Sequence, residues 1–118
     1  NREHLLYRAK KAALKMIDGY EAPVNRDDIK LAGKGGRTAM KVSLKGFRIQ
    51  GKISAHDELV AKKLAYVLTG GDKGGPTKPV DEQYLLEIER EVFLSLCGEE
   101  KTHDRIRYIL KKGKPLRN

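Results

Sequence analysis

Four kinds of side chain in this sequence could take part in catalysis or ligand binding. They are a carboxylate within an apolar pattern, a row of basic residues, three histidines and one cysteine. The carboxylate is Glu89, within the segment from Val80 to Cys97, where apolar residues recur at helical spacing. Glu89 falls inside that apolar arc. Because a buried, unpaired carboxylate is costly, we expect a Lys or Arg from another helix to pair with it and to locate this helix. A catalytic acid or base is the alternative, since carboxylates with shifted pKa values cluster at functional sites.

The row of basic residues lies on a predicted helix over residues 37–52. Its members recur every three or four residues and fall within an arc of about 80° on an ideal helix: Arg37, Lys41, Lys45, Arg48 and Lys52. We call this row the basic ridge. It is either a solvated face or a surface that binds anions, such as phosphates or an acidic neighbour.

The histidines and the cysteine show no spacing typical of a metal site or of a nucleophile with its base. His4, His56 and His103 are far apart in sequence, and a single Cys97 excludes an intrachain disulfide and a multi-cysteine zinc site. Folding could still bring Cys97 beside His103, although a core cysteine and a surface histidine explain both residues. We therefore predict no metal and no catalytic residue in this chain.

Composition is that of one small domain. The chain has 118 residues, 39% of them hydrophobic and 35% charged, and a net charge of +9. Residues 79–100 hold seven acidic residues and one basic residue, so pairing within the chain competes with outside partners for the basic groups. The sequence lacks an apolar run of about 20 residues and a signal-peptide pattern, which favours a soluble, cytoplasmic protein with no membrane partner. Because it starts in a helical pattern without Met, we expect an excised fragment of a larger chain.

The pattern predicts an all-α fold with about five helices in a loosely joined bundle. The helices are expected at about residues 2–17, 37–52, 55–68, 80–97 and 103–112. Ser54 and Thr102 are the predicted N-caps of the third and fifth helices, and Gly98 and Gly113 follow the last two. Residues 21–36 form a connection long enough that we expect it to rest on the domain. The glycine-rich segment 69–79 is predicted to be a flexible link.

The last third of the sequence resembles a known family. The stretch LEIEREVFLSLCGEEKTHDRIRYILKKGKPLRN is similar to the C-terminal end of the crotonase, or enoyl-CoA hydratase, superfamily. Family members end in Ile-Arg-x-Phe-Leu-x-Lys-Arg-Lys-Pro, and residues 106–115 here read IRYILKKGKP. The stretch SAHDELVAKKLAYVLTGGD and the final GKPLRN look closer still to long bifunctional chains that join a 3-hydroxyacyl-CoA dehydrogenase to an enoyl-CoA hydratase end.

This resemblance implies the C-terminal helical portion of a fatty acid β-oxidation enzyme. The parent would add water to enoyl-CoA and oxidise 3-hydroxyacyl-CoA with NAD, with its catalytic residues and NAD-binding glycines outside this sequence. Implied partners are the rest of the parent chain and further copies in a homo-oligomer. Family helices of this kind contact the adenosine end of CoA, and Lys112 matches the lysine that does so, with Ile109 in place of the family's Phe. Lys111, Lys112 and Lys114 would then lie at the adenosine-phosphate end of a CoA site.

Two alternatives stay open at this point. The lysines need no ligand if they only complement the negative end of the last helix dipole. The whole chain is alternatively a free-standing basic module that binds nucleic acid, on the strength of its net charge and the basic ridge. The sequence has no aromatic stacking platform and no recognisable DNA-binding motif, which counts against the nucleic-acid module. The resemblance of the C-terminal ending favours the portion of an enzyme. The segment 80–97 has more apolar surface than one short domain covers, which predicts self-association or an exposed patch.

Overall fold

The structure, a computed structural model, describes residues 2–118. Within these residues the chain forms five helices: α1 (Arg2–Met16), α2 (Gly33–Ile49), α3 (Ala55–Leu68), α4 (Glu82–Cys97) and α5 (Glu100–Lys112). The described part contains no β-strand, only two isolated antiparallel bridges, Ile29 with Val80 and Gly75 with Lys78. The predicted all-α fold of five helices is confirmed. In residues 2–118 we find no helix with the length and apolar character needed to cross a membrane.

The helices from α2 to α5 pack in chain order, each against the next. Ala65, Val80 and Ile88 are the buried apolar residues of the described part, so the core is small. The chain exposes 9582 Å², whereas a compact monomer of 13.3 kDa would expose about 6,500 Å². Its radius of gyration is 19.9 Å, against about 13.5 Å for a compact domain of this length. Much apolar surface is therefore uncovered.

Helices α3 and α4 begin where side chains cap their free N–H groups. The Ser54 hydroxyl accepts a hydrogen bond from the Asp57 N–H at 3.0 Å, and the Asp57 carboxylate accepts one from the Ser54 N–H at 2.9 Å. This reciprocal pair is a capping box and confirms Ser54 as the N-cap. At α4 the carboxylate of Asp81 accepts a hydrogen bond from the Tyr84 N–H at 2.6 Å.

Helix α5 starts earlier than its sequence suggested. It begins at Glu100 after Glu99, whose side chain makes no capping bond, so the predicted cap at Thr102 is wrong. The Thr102 side chain lies inside the first turn, where its hydroxyl meets His56 instead. The end of α5 is as predicted, because Gly113 adopts φ 64° and its N–H donates to the carbonyl of Ile109 at 2.8 Å.

The glycine-rich segment 69–79 is not the flexible link that its composition suggested. Thr69, Gly70 and Gly71 are buried, and Thr69 is 0% exposed. Gly70 and Gly71 have φ of 90° and 57°, and a Cβ on Gly71 would lie 2.5 Å from the Tyr84 hydroxyl. Gly71 is therefore needed for close approach of the backbone to α4, whereas a Cβ on Gly70 would lie 2.8 Å from the Gly74 Cα. The segment thus forms the centre of the packed part.

The last part of the long connection before α2 rests on this centre, as predicted, whereas residues 21–25 are exposed. Ile29 and Val80 exchange two backbone hydrogen bonds, of 3.0 and 2.9 Å. Helix α2 then begins at Gly33, four residues before the predicted start. Gly33 adopts φ 64° and donates its N–H to the Thr69 carbonyl at 3.0 Å, which joins the start of α2 to the same centre. The helix ends at Ile49 and not at residue 52.

Candidate functional site

The first residue of the basic ridge, Arg37, faces the interior. Its Nε donates to the Thr69 hydroxyl at 3.0 Å, and its Nη2 donates to the Gly71 carbonyl. The guanidinium carbon lies 4.7 Å from the centroid of the Tyr66 ring, and the side chain is only 11% exposed. Arg37 therefore clamps the glycine-rich segment to α2 and α3. In the sequence Arg37 has the same helical spacing as the other ridge residues. No neighbouring residue indicates that Arg37 alone is turned toward the interior.

The rest of the ridge is shorter than predicted. Lys41, Lys45 and Arg48 are exposed on α2, whereas Lys52 lies beyond the helix, with its ammonium 5.8 Å from the centroid of the Phe47 ring. A surface of three cations remains on the helix where the spacing predicted five. The nucleic-acid alternative thus keeps only part of the surface on which it depends.

Tyr66 and Asp72 border the Arg37 clamp on its solvent side. The Tyr66 hydroxyl donates to the Asp72 carboxylate at 3.1 Å, and Arg37 Nη1 lies 3.9 Å from the same carboxylate. Burial raises the pKa of Tyr66, and the Asp72 carboxylate raises it further. This tyrosine is thus held as a neutral hydrogen-bond donor.

A second arginine, Arg105 of α5, joins three parts of the chain. Its Nη2 lies 2.7 Å from the Asp57 carboxylate of α3, and its Nε donates to the Asn118 side-chain carbonyl at 2.7 Å. The Asn118 amide donates to the Lys101 carbonyl at 3.1 Å, so residues 113–118 return along α5. Hydrogen bonds from the Ser54 N–H and then from Arg105 lower the pKa of Asp57 to about 2. Sequence reasoning missed Arg105, because nothing local links it to Asp57, 48 residues earlier.

The histidines and the cysteine form no nucleophilic pair. His103 Nε2 contacts the main-chain carbonyl of Cys97, so this nitrogen carries the proton and is no base toward the thiol. His56 is buried, with Nε2 3.1 Å from the Thr102 hydroxyl, and joins α3 to α5. Nowhere in residues 2–118 do three or more His, Cys, Asp or Glu side chains gather as potential metal ligands.

Glu89 is exposed, so the predicted buried ion pair within the chain is wrong. In the described part of the chain it enters no ion pair. The error lies in the extent of the core: α4 buries Ile88 and half-buries Leu85, while the side of the helix that carries Glu89 stays open. Glu89 and Arg90 line a groove of about 600 Å³ between α3 and α4. Its other lining residues are apolar: Val60, Leu64, Val67, Leu68, Leu86, Val92, Phe93 and Leu96.

The residues predicted to contact CoA lie together at the end of α5. Lys111 and Lys112 occupy its last turn, Lys114 follows Gly113, and all three side chains are exposed. Ile109 is 50% exposed and lies three residues before Lys112, which places both on one side of the helix. No ion pair within the described residues engages the three lysines. Their CoA contact stays a prediction.

Fold and site together describe an all-α helical unit with large uncovered apolar faces and a basic end. In sequence the chain is 49% identical, over an alignment of 119 residues, to the probable 3-hydroxyacyl-CoA dehydrogenase of Bacillus subtilis (strain 168). That alignment covers 100% of this chain and 15% of the Bacillus protein, so the chain spans about 15% of the length of the curated relative it matches. No protein-family model matches the chain, and no solved structure gives a significant match.

Proposed function

We propose that this chain is the helical portion of a 3-hydroxyacyl-CoA dehydrogenase of fatty acid oxidation and serves in packing and assembly. The observation that carries this proposal is the 49% identity along the whole chain to a protein of that name. Such a protein would bind NAD and would carry out its chemistry on CoA thioesters in domains outside these residues. The similarity of residues 106–115 to the crotonase ending further supports an enoyl-CoA hydratase activity in the same parent.

Helix α1 supports the packing role. Its apolar side chains Leu5, Leu6 and Met16 are 67%, 71% and 71% exposed, although they lie on one side of the helix. On α2, Met40 and Phe47 are 41% and 45% exposed. Exposed apolar surface of this extent marks a site where another surface packs. The remainder of the proposed parent is the occupant that fits the similarity to a much longer protein.

The basic end of α5 is the proposed point of contact with CoA. Lys111, Lys112 and Lys114 offer compact positive charges suited to the 3′-phosphate of the adenosine end. Ile109 offers an exposed apolar surface on the same side of the helix for the adenine ring. This role adds affinity for the substrate and leaves the chemical step to other residues.

The proposal is tested on the full-length protein that contains this chain. Purified protein should reduce NAD with a 3-hydroxyacyl-CoA and should hydrate an enoyl-CoA. Leu6→Asp places a charge on the apolar side of α1 and should lower both the thermal midpoint and the activity. Lys11→Asp introduces the same carboxylate on the opposite side of α1 and should leave both unchanged. Absence of NAD reduction would overturn the proposed enzyme class, and equal effects of the two variants would overturn the packing role of α1.

A further inference from the structure

The groove between α3 and α4 continues onto an uncovered stripe of α4. Leu86 and Phe93 of this stripe are 48% and 62% exposed, and Leu64 and Leu68 on the α3 side of the groove are 53% and 55% exposed. These side chains form one apolar surface that no part of residues 2–118 covers. A helix that packed along α4 would cover it.

Two charges flank the stripe on opposite sides. At 100° per residue, Glu89 projects about 50° to one side of the Leu86–Phe93 line and Arg90 about 50° to the other. Neither charge enters an ion pair within the described residues. The surface therefore carries an unpaired acid and an unpaired base at the same height along the helix.

This arrangement is complementary to itself in one orientation only. When two α4 helices pack in parallel about a two-fold axis along their length, Glu89 of one copy meets Arg90 of the other, and Arg90 meets Glu89. When they pack antiparallel, the two-fold axis brings Glu89 against Glu89 and Arg90 against Arg90. Like charges in contact are unfavourable, so the charges select the parallel pair.

We propose that the uncovered stripe of α4 binds the same stripe of a second copy of this chain in parallel. Leu86 then packs on Leu86 and Phe93 on Phe93, and the Phe93 rings extend toward Leu64 and Leu68 of the groove. Two Glu89–Arg90 pairs border the contact. The partner of Glu89 that is missing within one chain is thereby supplied by the second chain.

The test is the mass of the chain in solution, with variants that exchange the charges. The wild-type chain should sediment as a dimer. E89R brings two arginines together on each side of the contact, and R90E brings two carboxylates together there, so each single change should raise the dimer dissociation constant about tenfold or more. E89R/R90E exchanges the signs and should restore the dimer. Circular dichroism of each variant checks that the helices remain.

Two controls distinguish this contact from other associations. E87R makes the same change in net charge as E89R, about 100° away from the stripe, and should leave the dimer constant unchanged. Cys97 lies near the stripe one turn after Phe93, so a short thiol crosslinker should join two chains in the parallel pair. In an antiparallel pair the two Cys97 side chains would lie about 22 Å apart and would not be joined.

A monomer at high concentration would overturn the proposal, as would a dimer that E89R and R90E leave intact. A dimer that is not joined through Cys97 would overturn the parallel orientation. The mass of the chain in solution tests the proposed dimer, and dehydrogenase activity tests the proposed function. Failure of one proposal is therefore distinguishable from failure of the other. Binding of the stripe to another domain of a larger chain would overturn the proposal too. In that case the full-length protein would be a monomer, and a dye for apolar surfaces would bind the isolated chain but not the full-length protein.

Discussion

The Nε atom of Arg37 lies 3.0 Å from the hydroxyl oxygen of Thr69, a residue with no exposed surface. Thr69 donates that hydroxyl proton to the Ala65 carbonyl at 2.7 Å, so it can accept the bond from Arg37. Arg37 also supplies a hydrogen bond to the carbonyl of the buried Gly71. One arginine thus satisfies the polar groups that allow a glycine-rich segment to lie at the centre of the packing.

Arg37→Met should destabilise the fold by about 2 to 3 kcal/mol, because the buried carbonyl of Gly71 loses its partner while the apolar stem is kept. The free energy of unfolding in urea, followed by circular dichroism, measures this. Arg48→Met removes an exposed arginine from the same helix and should change the free energy by less than about 0.5 kcal/mol. Similar values for the two variants would show that the hydrogen bonds of Arg37 do not stabilise the fold.

Gly71→Ala should destabilise the fold by about 2 kcal/mol or more. Its φ is positive, and the new methyl group would lie 2.5 Å from the Tyr84 hydroxyl and 3.0 Å from Ile88 Cδ1. Gly46→Ala is the matched variant, because a Cβ there meets nothing within 4 Å. In the interior of α2 it should stabilise by up to about 1 kcal/mol. Thermal midpoints of the two variants should therefore move in opposite directions, and a lowered midpoint for both would contradict this account.

Helical periodicity and capping residues predict most of the fold of this chain. Ser54 and the following apolar pattern place α3 correctly, and Gly113 places the end of α5, because these signals lie within a few residues of the boundary that they determine. The order of segment 69–79 is not predictable in this way. Its glycines have the composition of a flexible link, and their burial depends on an arginine 32 residues earlier in the chain than Thr69.

Asp57 makes stability depend on pH in the acid range. Its pKa is lowered from 3.8 to about 2, so the folded state holds the charged carboxylate more strongly than the unfolded state does. The contribution is fully present above about pH 4 and is lost as pH falls toward 2, and it amounts to about 2 kcal/mol. Unfolding free energies from about pH 7 to about pH 2 should show this loss in the wild-type chain.

Asp57→Asn should be less stable than wild type at about pH 7 and should lose less stability on acidification. Asp104→Asn is the control, because the Asp104 side chain is 47% exposed and pairs with Arg107 at 3.6 Å on the surface. It should keep the wild-type dependence on pH. If Asp57→Asn kept the full loss between about pH 4 and about pH 2, other carboxylates would be responsible for it.

A motif or a charge pattern can mark candidate site residues in the sequence, but it does not reveal a partner that only folding brings close. The resemblance of their segment to a family ending marks Lys111 and Lys112 in this way, and their contact with CoA stays a prediction. Glu89 is unusual for its place in an apolar arc, but the sequence does not tell which part of that arc α3 covers. The two arginines that hold the fold, Arg37 and Arg105, have partners 32 and 48 residues away, and no periodic pattern reveals such pairs.

The proposed CoA contact predicts a selective change in substrate affinity. In the full-length protein, Lys112→Ala should raise KM for a 3-hydroxyacyl-CoA several-fold and leave kcat nearly unchanged, because an exposed phosphate contact is worth about 1 kcal/mol and does not act on the reacting atoms. The same variant should have little effect on KM for a substrate that lacks the 3′-phosphate. Lys45→Ala removes another exposed lysine, from α2, and should change neither constant. Equal effects of Lys112→Ala on both substrates would leave Lys112 only the role of complementing the dipole at the end of α5.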